Sequence, residues 1–248
     1  PRGPPPPASR VGPQTTPPPP AAAGGEAPIP RALRVAAAAG EDTAGLREAP
    51  LGHLHAAALG FHTALTGPRL EAVVTCPACA SAVEFALDAD SLRGLSGTAA
   101  SGDLTVPTQA GAWRVRWRVP TAGDLAEVAG RTDAAATLLA RCCDVTGPSG
   151  EDATLAPVEV VEHIEAALAA ADPLAEVTVG LDCPECGALF DADVDPIAFV
   201  WHEVESRARR VLREVDVLAR AYGWTEADVL ALPEQRRAAY LEIVREGA

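Results

Sequence analysis

Val74-Thr75-Cys76-Pro77-Ala78-Cys79 and Leu181-Asp182-Cys183-Pro184-Glu185-Cys186 are two forms of one motif, set more than a hundred residues apart. Six cysteines placed at random in a 248-residue chain would give about 0.12 pairs at the Cys-x-x-Cys spacing, so two such pairs are well above chance. Both pairs carry proline in second place. Proline fixes a tight turn, in which two thiolates can converge on one tetrahedral ion while nearby backbone N–H groups donate to the sulfurs. When the cysteines are superposed, Val83-Glu84 falls on Phe190-Asp191 and Leu87-Asp88 on Val194-Asp195. One knuckle supplies two ligands and a closed structural site requires four. The sequence therefore predicts a single structural ion, with zinc the expected metal, held by Cys76, Cys79, Cys183 and Cys186.

A thioredoxin-like redox pair opens a helix after a strand, whereas Cys79 and Cys186 are each followed by strand-like sequence. An iron centre has the same ligand set, as in rubredoxin-like ribbons, and a bare dithiol has the same spacing, so iron and a metal-free pair stay open beside zinc. Cys142 and Cys143 are adjacent near the end of an expected helix, where neighbours point about 100 degrees apart, and read as buried small hydrophobes.

Outward from the knuckles, Leu70, Ala72 and Val74 alternate with Glu71, Val73 and Thr75 into Cys76, and Val83, Phe85 and Leu87 resume the period beyond Cys79. Val177, Val179 and Leu181 do the same into Cys183. Each knuckle is thus expected at the tip of a β-hairpin. After a stretch read as a glycine- and serine-rich loop, Trp113, Val115, Trp117 and Val119 alternate with Arg114, Arg116 and Arg118, a strand with one core face and one wet face. Helices are expected at about 31–39, 51–65, from Thr121 or Asp124 through Val128, at 133–143 and at 157–171, the last with an apolar stripe of Val158, Val161, Ile164 and Leu168. Asp195-Pro196 pairs an N-cap with proline at the first helical position and starts the longest helix, which Gly223 stops. Thr225 with Asp228 makes a capping box for two short helices, 226–232 and 233–244.

The expected fold class is α+β: two knuckle hairpins brought together with a small antiparallel sheet, helices around them, and a long C-terminal helix followed by two short ones. The segments are a disordered Pro/Ala-rich leader at 1–30, short helices at 31–67, the first knuckle and the Trp/Arg strand at 68–120, a helical segment at 121–175, the second knuckle at 176–195 and C-terminal helices at 196–248. The leader holds almost no large apolar side chain and cannot bury enough surface to offset chain entropy.

Charge and composition narrow the function. A formal charge of −14 and a pI near 4.7 repel nucleic acid and anionic membrane, so neither is an expected partner. The three arginines between tryptophans could form a stacking platform for single strands, and Arg207, Arg209, Arg210 and Arg213 could grip phosphate. Against that charge they read as an ordinary strand face and a mixed-charge helix, and a zinc-ribbon nucleic-acid-binding regulator is the alternative to a structural role. No run of eighteen apolar residues and no basic-then-apolar start is present, so neither a membrane span nor a secretory signal is expected and the compartment is expected to be cytoplasmic. Six cysteines in a reducing compartment suit metal ligands or buried thiols better than disulfides. No metalloprotease helix, nucleophile elbow, phosphate loop or dinucleotide fingerprint is found. His163 reads as a surface or packed side chain and His202-Glu203 as part of a charged helix face, so no catalytic or small-molecule site is expected.

The order strand, Cys-Pro-x-Cys, strand, helices, strand, Cys-Pro-x-Cys, long arginine-rich helix resembles the T-even-type phage baseplate protein family, found with contractile phage tails and phage-tail-like injection particles. The stretches that carry the resemblance are Gly67 to Cys79, the turn Val119-Pro120-Thr121-Ala122-Gly123-Asp124-Leu125, and Asp182-Cys183-Pro184-Glu185-Cys186-Gly187. The C-terminal block from Phe199-Val200-Trp201-His202-Glu203-Val204-Glu205 to Tyr222-Gly223-Trp224 and Leu230, ending at Arg236-Arg237-Ala238-Ala239-Tyr240-Leu241, carries it too. The resemblance implies a non-catalytic structural or assembly component whose partners are other baseplate or tail proteins, and only the four cysteines carry over residue by residue. Tyr222, Trp224 and Tyr240 would be available as aromatic anchors for such contacts or as core.

Overall fold

A computed structural model describes residues 28–38, 40–95, 97, 101–153 and 156–247. The expected leader lies outside the described residues up to position 27. The elements run α1 (Pro28–Ala38), α2 (Thr43–Glu48), α3 (Leu51–Thr66), β1 (Arg69–Thr75), β2 (Ala82–Asp88) and α4 (Ala89–Arg93). Then come β3 (Ser101–Thr108), β4 (Gly111–Arg118), α5 (Ala122–Val128), α6 (Ala134–Cys142), β5 (Cys143–Thr146) and α7 (Val158–Ala171). The chain ends with β6 (Val177–Asp182), β7 (Leu189–Val194), α8 (Pro196–Tyr222), α9 (Glu226–Leu230) and α10 (Glu234–Glu246). The fold is α+β with small antiparallel sheets, as the alternating and helical patterns imply, and divides into two compact units, Pro1–Ile197 and Ala198–Ala248. No helix among the described residues is long and apolar enough to cross a membrane.

The first unit contains two separate hairpins, β1-β2 and β6-β7, and a three-stranded sheet in the order β3-β4-β5. The hairpins repeat each other in register. Leu70 faces Leu87 and Thr75 faces Ala82 in the first, while Val177 faces Val194 and Asp182 faces Leu189 in the second. The repeat extends beyond the strands. Pro50 and Pro157 sit at the N-caps of α3 and α7, the helices that precede the hairpins. Asp88 and Asp195 cap the helices that follow, accepting from Ser91 N–H at 2.7 Å and Ile197 N–H at 2.9 Å.

The three-stranded sheet corrects the sequence reading in two places. Ser101–Thr108, taken as loop, is the strand β3, whose inward positions Gly102, Leu104 and Val106 face Trp117, Val115 and Trp113 across the ladder. Glycine is required at the first of these because a Cβ on Gly102 would fall 2.6 Å from the Trp117 ring. Pro107, which donates no hydrogen bond, is tolerated because β3 is an edge strand. Cys143 does not end a helix but opens β5 opposite Trp117. Val106, Val115, Cys142 and Cys143 form the sheet core with Val160 and Ile164 of α7. That stripe also differs from the expected one: Val158 is 74% exposed and Val160 takes its place, a change of helical phase that the evenly apolar sequence allows. His163 is exposed, its Nδ1 donating to Glu159 O at 2.6 Å.

A charged knot joins this sheet to its helices. Asp124, 4% exposed, sits in the Thr121 capping box and accepts from Arg118 at 2.5 and 3.0 Å and from Arg141 at 3.1 Å. The Arg118 guanidinium, helped by the Thr121 N–H and hydroxyl and by Arg141, holds the Asp124 carboxyl far below the usual carboxylate range. A depressed folded-state pKa contributes stability that is present above the unfolded value, about 3.9, and is lost as pH falls below it. Asp124→Asn is expected to cost about 2 kcal/mol at pH 7, and thermal melts repeated down to pH 3 should show the gap between variant and parent narrowing. A gap that is constant with pH would exclude this role.

A buried contact ties α3 to the chain before β6. Asp172, 3% exposed, accepts from Gly52 N–H at 2.9 Å and so caps α3 from 120 positions away. Pro50, the local cap residue, offers no side-chain bond. One turn on, buried His55 donates from Nδ1 to Leu174 O at 2.7 Å, and burial lowers its pKa. Ala32, Ala36, Leu54, Ala122 and Ile197 pack a second core beside this contact.

In the second unit, Arg207 and Arg210 each reach Glu234 at 3.0 Å, Arg237 reaches Glu214 at 3.1 Å, and Tyr240 meets Tyr222 with ring centroids 5.7 Å apart. These partners rise in the same order along both helices, so α10 runs in the same sense as α8 and the segment between them turns back toward it. Three of the four arginines read as a possible phosphate grip are thus engaged with acids: Arg207 and Arg210 with Glu234, and Arg209 with Glu205 at 3.7 Å. His202 is exposed on the same helix. Gly223 at φ +68 ends α8, and Trp224 lies between Tyr222 and Tyr240 at 4.7 and 4.9 Å. In so small a unit this cluster should carry weight: Trp224→Ala is expected to cost about 2 kcal/mol. That is about a 30-fold rise in amide exchange along α10. Unchanged protection would show that the rings do not hold the helices together.

A four-cysteine candidate metal centre

Each hairpin tip is built the same way from the same atoms. Cys76 N–H donates to Ser81 O at 2.8 Å and Ala80 N–H to Cys76 O at 2.9 Å; Cys183 N–H donates to Ala188 O at 3.0 Å and Gly187 N–H to Cys183 O at 2.9 Å. The turn needs a left-handed residue just after its second cysteine. Gly187 supplies it at φ +69 without strain, and Ala80 supplies it at φ +61 against the steric preference of an L-residue. Backbone N–H groups of Ser81 and Ala188 then point at the sulfurs of Cys79 and Cys186. Such donors delocalise thiolate charge, as outer-shell groups at metal centres do.

The two tips face each other. Sγ of Cys76 lies 3.8 Å from Sγ of Cys186 and Sγ of Cys79 lies 3.7 Å from Sγ of Cys183. All four sulfurs lie within 4.8 Å of one another. A tetrahedral ion with metal–sulfur bonds of about 2.3 Å sets its ligands about 3.8 Å apart, and the two cross-hairpin pairs already stand at that spacing. Cys76 and Cys183 are 1% and 2% exposed, backed by Val74, Val83, Ala188 and Phe190, while Cys79 and Cys186 face solvent. The four residues singled out by their spacing are therefore brought together, and they can hold a metal ion. Tetrahedral sulfur suits zinc and mononuclear iron alike, so the donor set fixes ligand number and shape rather than the element.

Without an ion the cluster ionises unevenly. Hydrogen bonds from the Ser81 hydroxyl and N–H, with help from Cys186 and Cys183, lower the Cys79 thiol to about 6. At Cys186 the Ala188 N–H acts in the lowering direction, and the neighbouring sulfurs of Cys79, Cys183 and Cys76 together with burial push the thiol up to about 12. The Cys79 thiolate thus forms readily, while ionising Cys186 needs a cation to offset the charge of its neighbours.

Cys142 and Cys143 take no part. Both are buried in the sheet core, and burial raises Cys142 and pushes Cys143 up to about 11, which leaves them as inert thiols. Among the described residues the four cysteines are the one group of His, Cys, Asp and Glu placed to share an ion. Spacing and the repeat identify the ligands, but nothing in the sequence marks Ser81 or Ala188, because a backbone donor has no side-chain signature. In comparisons with known proteins the chain matches no family model, no curated protein and no solved structure.

Proposed function

We propose that Cys76, Cys79, Cys183 and Cys186 hold one structural zinc ion and that the chain is a non-catalytic structural or assembly component of the baseplate of a contractile phage-tail-like injection particle. The observation that carries the first part is the convergence of four sulfurs from two repeated hairpins. Four thiolates complete a tetrahedral shell and leave no position for water or substrate, so the ion's work is to join chain segments. Zinc suits that work because it has no redox chemistry of its own. The second part rests on the sequence resemblance in Gly67 to Cys79, in the turn at Val119 to Leu125 and in the C-terminal helices. The α8-α10 unit adds a stiff helix and an aromatic cluster of the kind used at protein–protein contacts.

Two measurements separate these parts. Elemental analysis of the purified chain is expected to give one zinc per chain. Affinity purification from the native host under mild conditions is expected to bring tube, sheath or baseplate subunits. Zinc without any of those subunits would leave the centre intact and overturn the baseplate assignment.

A further inference from the structure

We propose that the four-cysteine centre is a site of reversible oxidation, at which a hydroperoxide ejects the ion and leaves two disulfides that cross between the hairpins, Cys76–Cys186 and Cys79–Cys183. The proposal rests on the reading that these residues hold zinc. Its own support is the arrangement of the sulfurs. Cys79 and Cys186 are exposed and are the atoms a small oxidant meets first. Each has a buried sulfur of the opposite hairpin at contact distance: Cys183 lies 3.7 Å from Cys79, and Cys76 lies 3.8 Å from Cys186. A disulfide of about 2.05 Å needs each pair to close by roughly 1.7 Å. The two crossings use all four sulfurs and leave none over.

The chemistry balances with hydrogen peroxide as the named oxidant. The exposed thiolate attacks one peroxide oxygen, the O–O bond breaks, hydroxide leaves and a sulfenic acid forms. The buried sulfur opposite attacks that sulfenic sulfur, and hydroxide leaves to form the disulfide. Each pair loses two electrons to one peroxide, so two peroxides convert four thiolates into two disulfides. Once the sulfurs are neutral the ion departs as the free dication. Cross-hairpin bonds span 110 and 104 positions of chain, whereas a bond within either knuckle closes only a short turn. The longer loop restricts the unfolded chain more, so crossed bonds would stabilise the folded unit more than bonds within a knuckle; the pairing itself is set by the sulfurs that stand in contact, Cys76 with Cys186 and Cys79 with Cys183. The hairpins then stay joined after the metal has gone, and a thiol reductant with zinc restores the original state.

The test uses the full zinc-loaded chain, titrated with hydrogen peroxide while released zinc is read with a chromogenic chelator. Disulfides are then mapped in an unreduced tryptic digest. Zinc release should be complete at two equivalents of peroxide, and the tryptic peptides 70–93 and 142–207, which carry the two knuckles, should become covalently joined. Dithiothreitol with zinc should separate them and restore the metal content. Unjoined peptides with Cys76–Cys79 and Cys183–Cys186 bonds, sulfinic acids in place of disulfides, or zinc retained at excess peroxide would each overturn the proposal. A chain that carries no metal as purified would refute the zinc reading, and the joined or separate state of the same two peptides would still decide between crossed and within-knuckle bonds; fragmentation of the joined peptides that linked Cys76 to Cys183 and Cys79 to Cys186 would overturn the pairing.

Discussion

Cys183→Ser is expected to yield a chain that retains no metal and whose two hairpins no longer form at 25 °C. Serine keeps the size of the side chain and removes the thiolate, so the ion is left with three ligands and loses its bond to a sulfur 2% exposed. Structural zinc contributes about 10–16 kcal/mol in small peptides, which is comparable with the roughly 5–15 kcal/mol stability of a whole domain. The isolated hairpins have little else to draw on: each has two strands, and a two-stranded ribbon is marginal at best in water. The repeat makes the expectation sharper. Cys76→Ser, on the buried sulfur of the other hairpin, should match Cys183→Ser in metal content and in the amide exchange of β1-β2 and β6-β7. Loss confined to the mutated hairpin would mean that the hairpins are stabilised independently.

Gly52→Ala should destabilise the first unit by about 3 kcal/mol, although glycine to alanine inside a helix ordinarily stabilises by up to about 1 kcal/mol. The sign reverses because a Cβ at position 52 would lie 2.0 Å from Asp172 Oδ1. The carboxylate must leave, and with it goes the bond to Gly52 N–H that caps α3. Asp172→Ala supplies the control. In that background the obstruction is absent, and the same Gly52→Ala change should be neutral or stabilising. Equilibrium unfolding of the four proteins in this cycle gives the coupling, and two additive changes would exclude the contact.

The elements legible in the sequence share strong local signals. β4 is marked by strict alternation, β1, β2 and β6 by a looser alternation, α3 by its alanine and leucine content, and α8 and α9 by Asp195-Pro196, Gly223 and the Thr225/Asp228 box. What stayed hidden was short or decided at a distance. β3 carries Gly102 and Pro107, which read as loop until Trp117 is seen lying over the glycine. β5 has four residues, too few for a period to show, and continues straight from α6. The small helices α2 and α4 depend on single caps, Asp42 and Asp88. The Asp172 cap on α3 joins residues with no shared local pattern. At the candidate centre the ligands were legible because the motif occurs twice, whereas the left-handed turn was announced by Gly187 and concealed by Ala80.

The central claim is that a single ion is gripped by four sulfurs contributed equally by two distant turns. X-ray absorption at the metal edge of the purified full chain, combined with metal-to-protein stoichiometry, tests it most directly. One ion per chain with four sulfur neighbours at about 2.3 Å and no nitrogen or oxygen in the shell is the expected result. Two ions per chain, no ion, or a shell of two sulfurs completed by oxygen or nitrogen would contradict it.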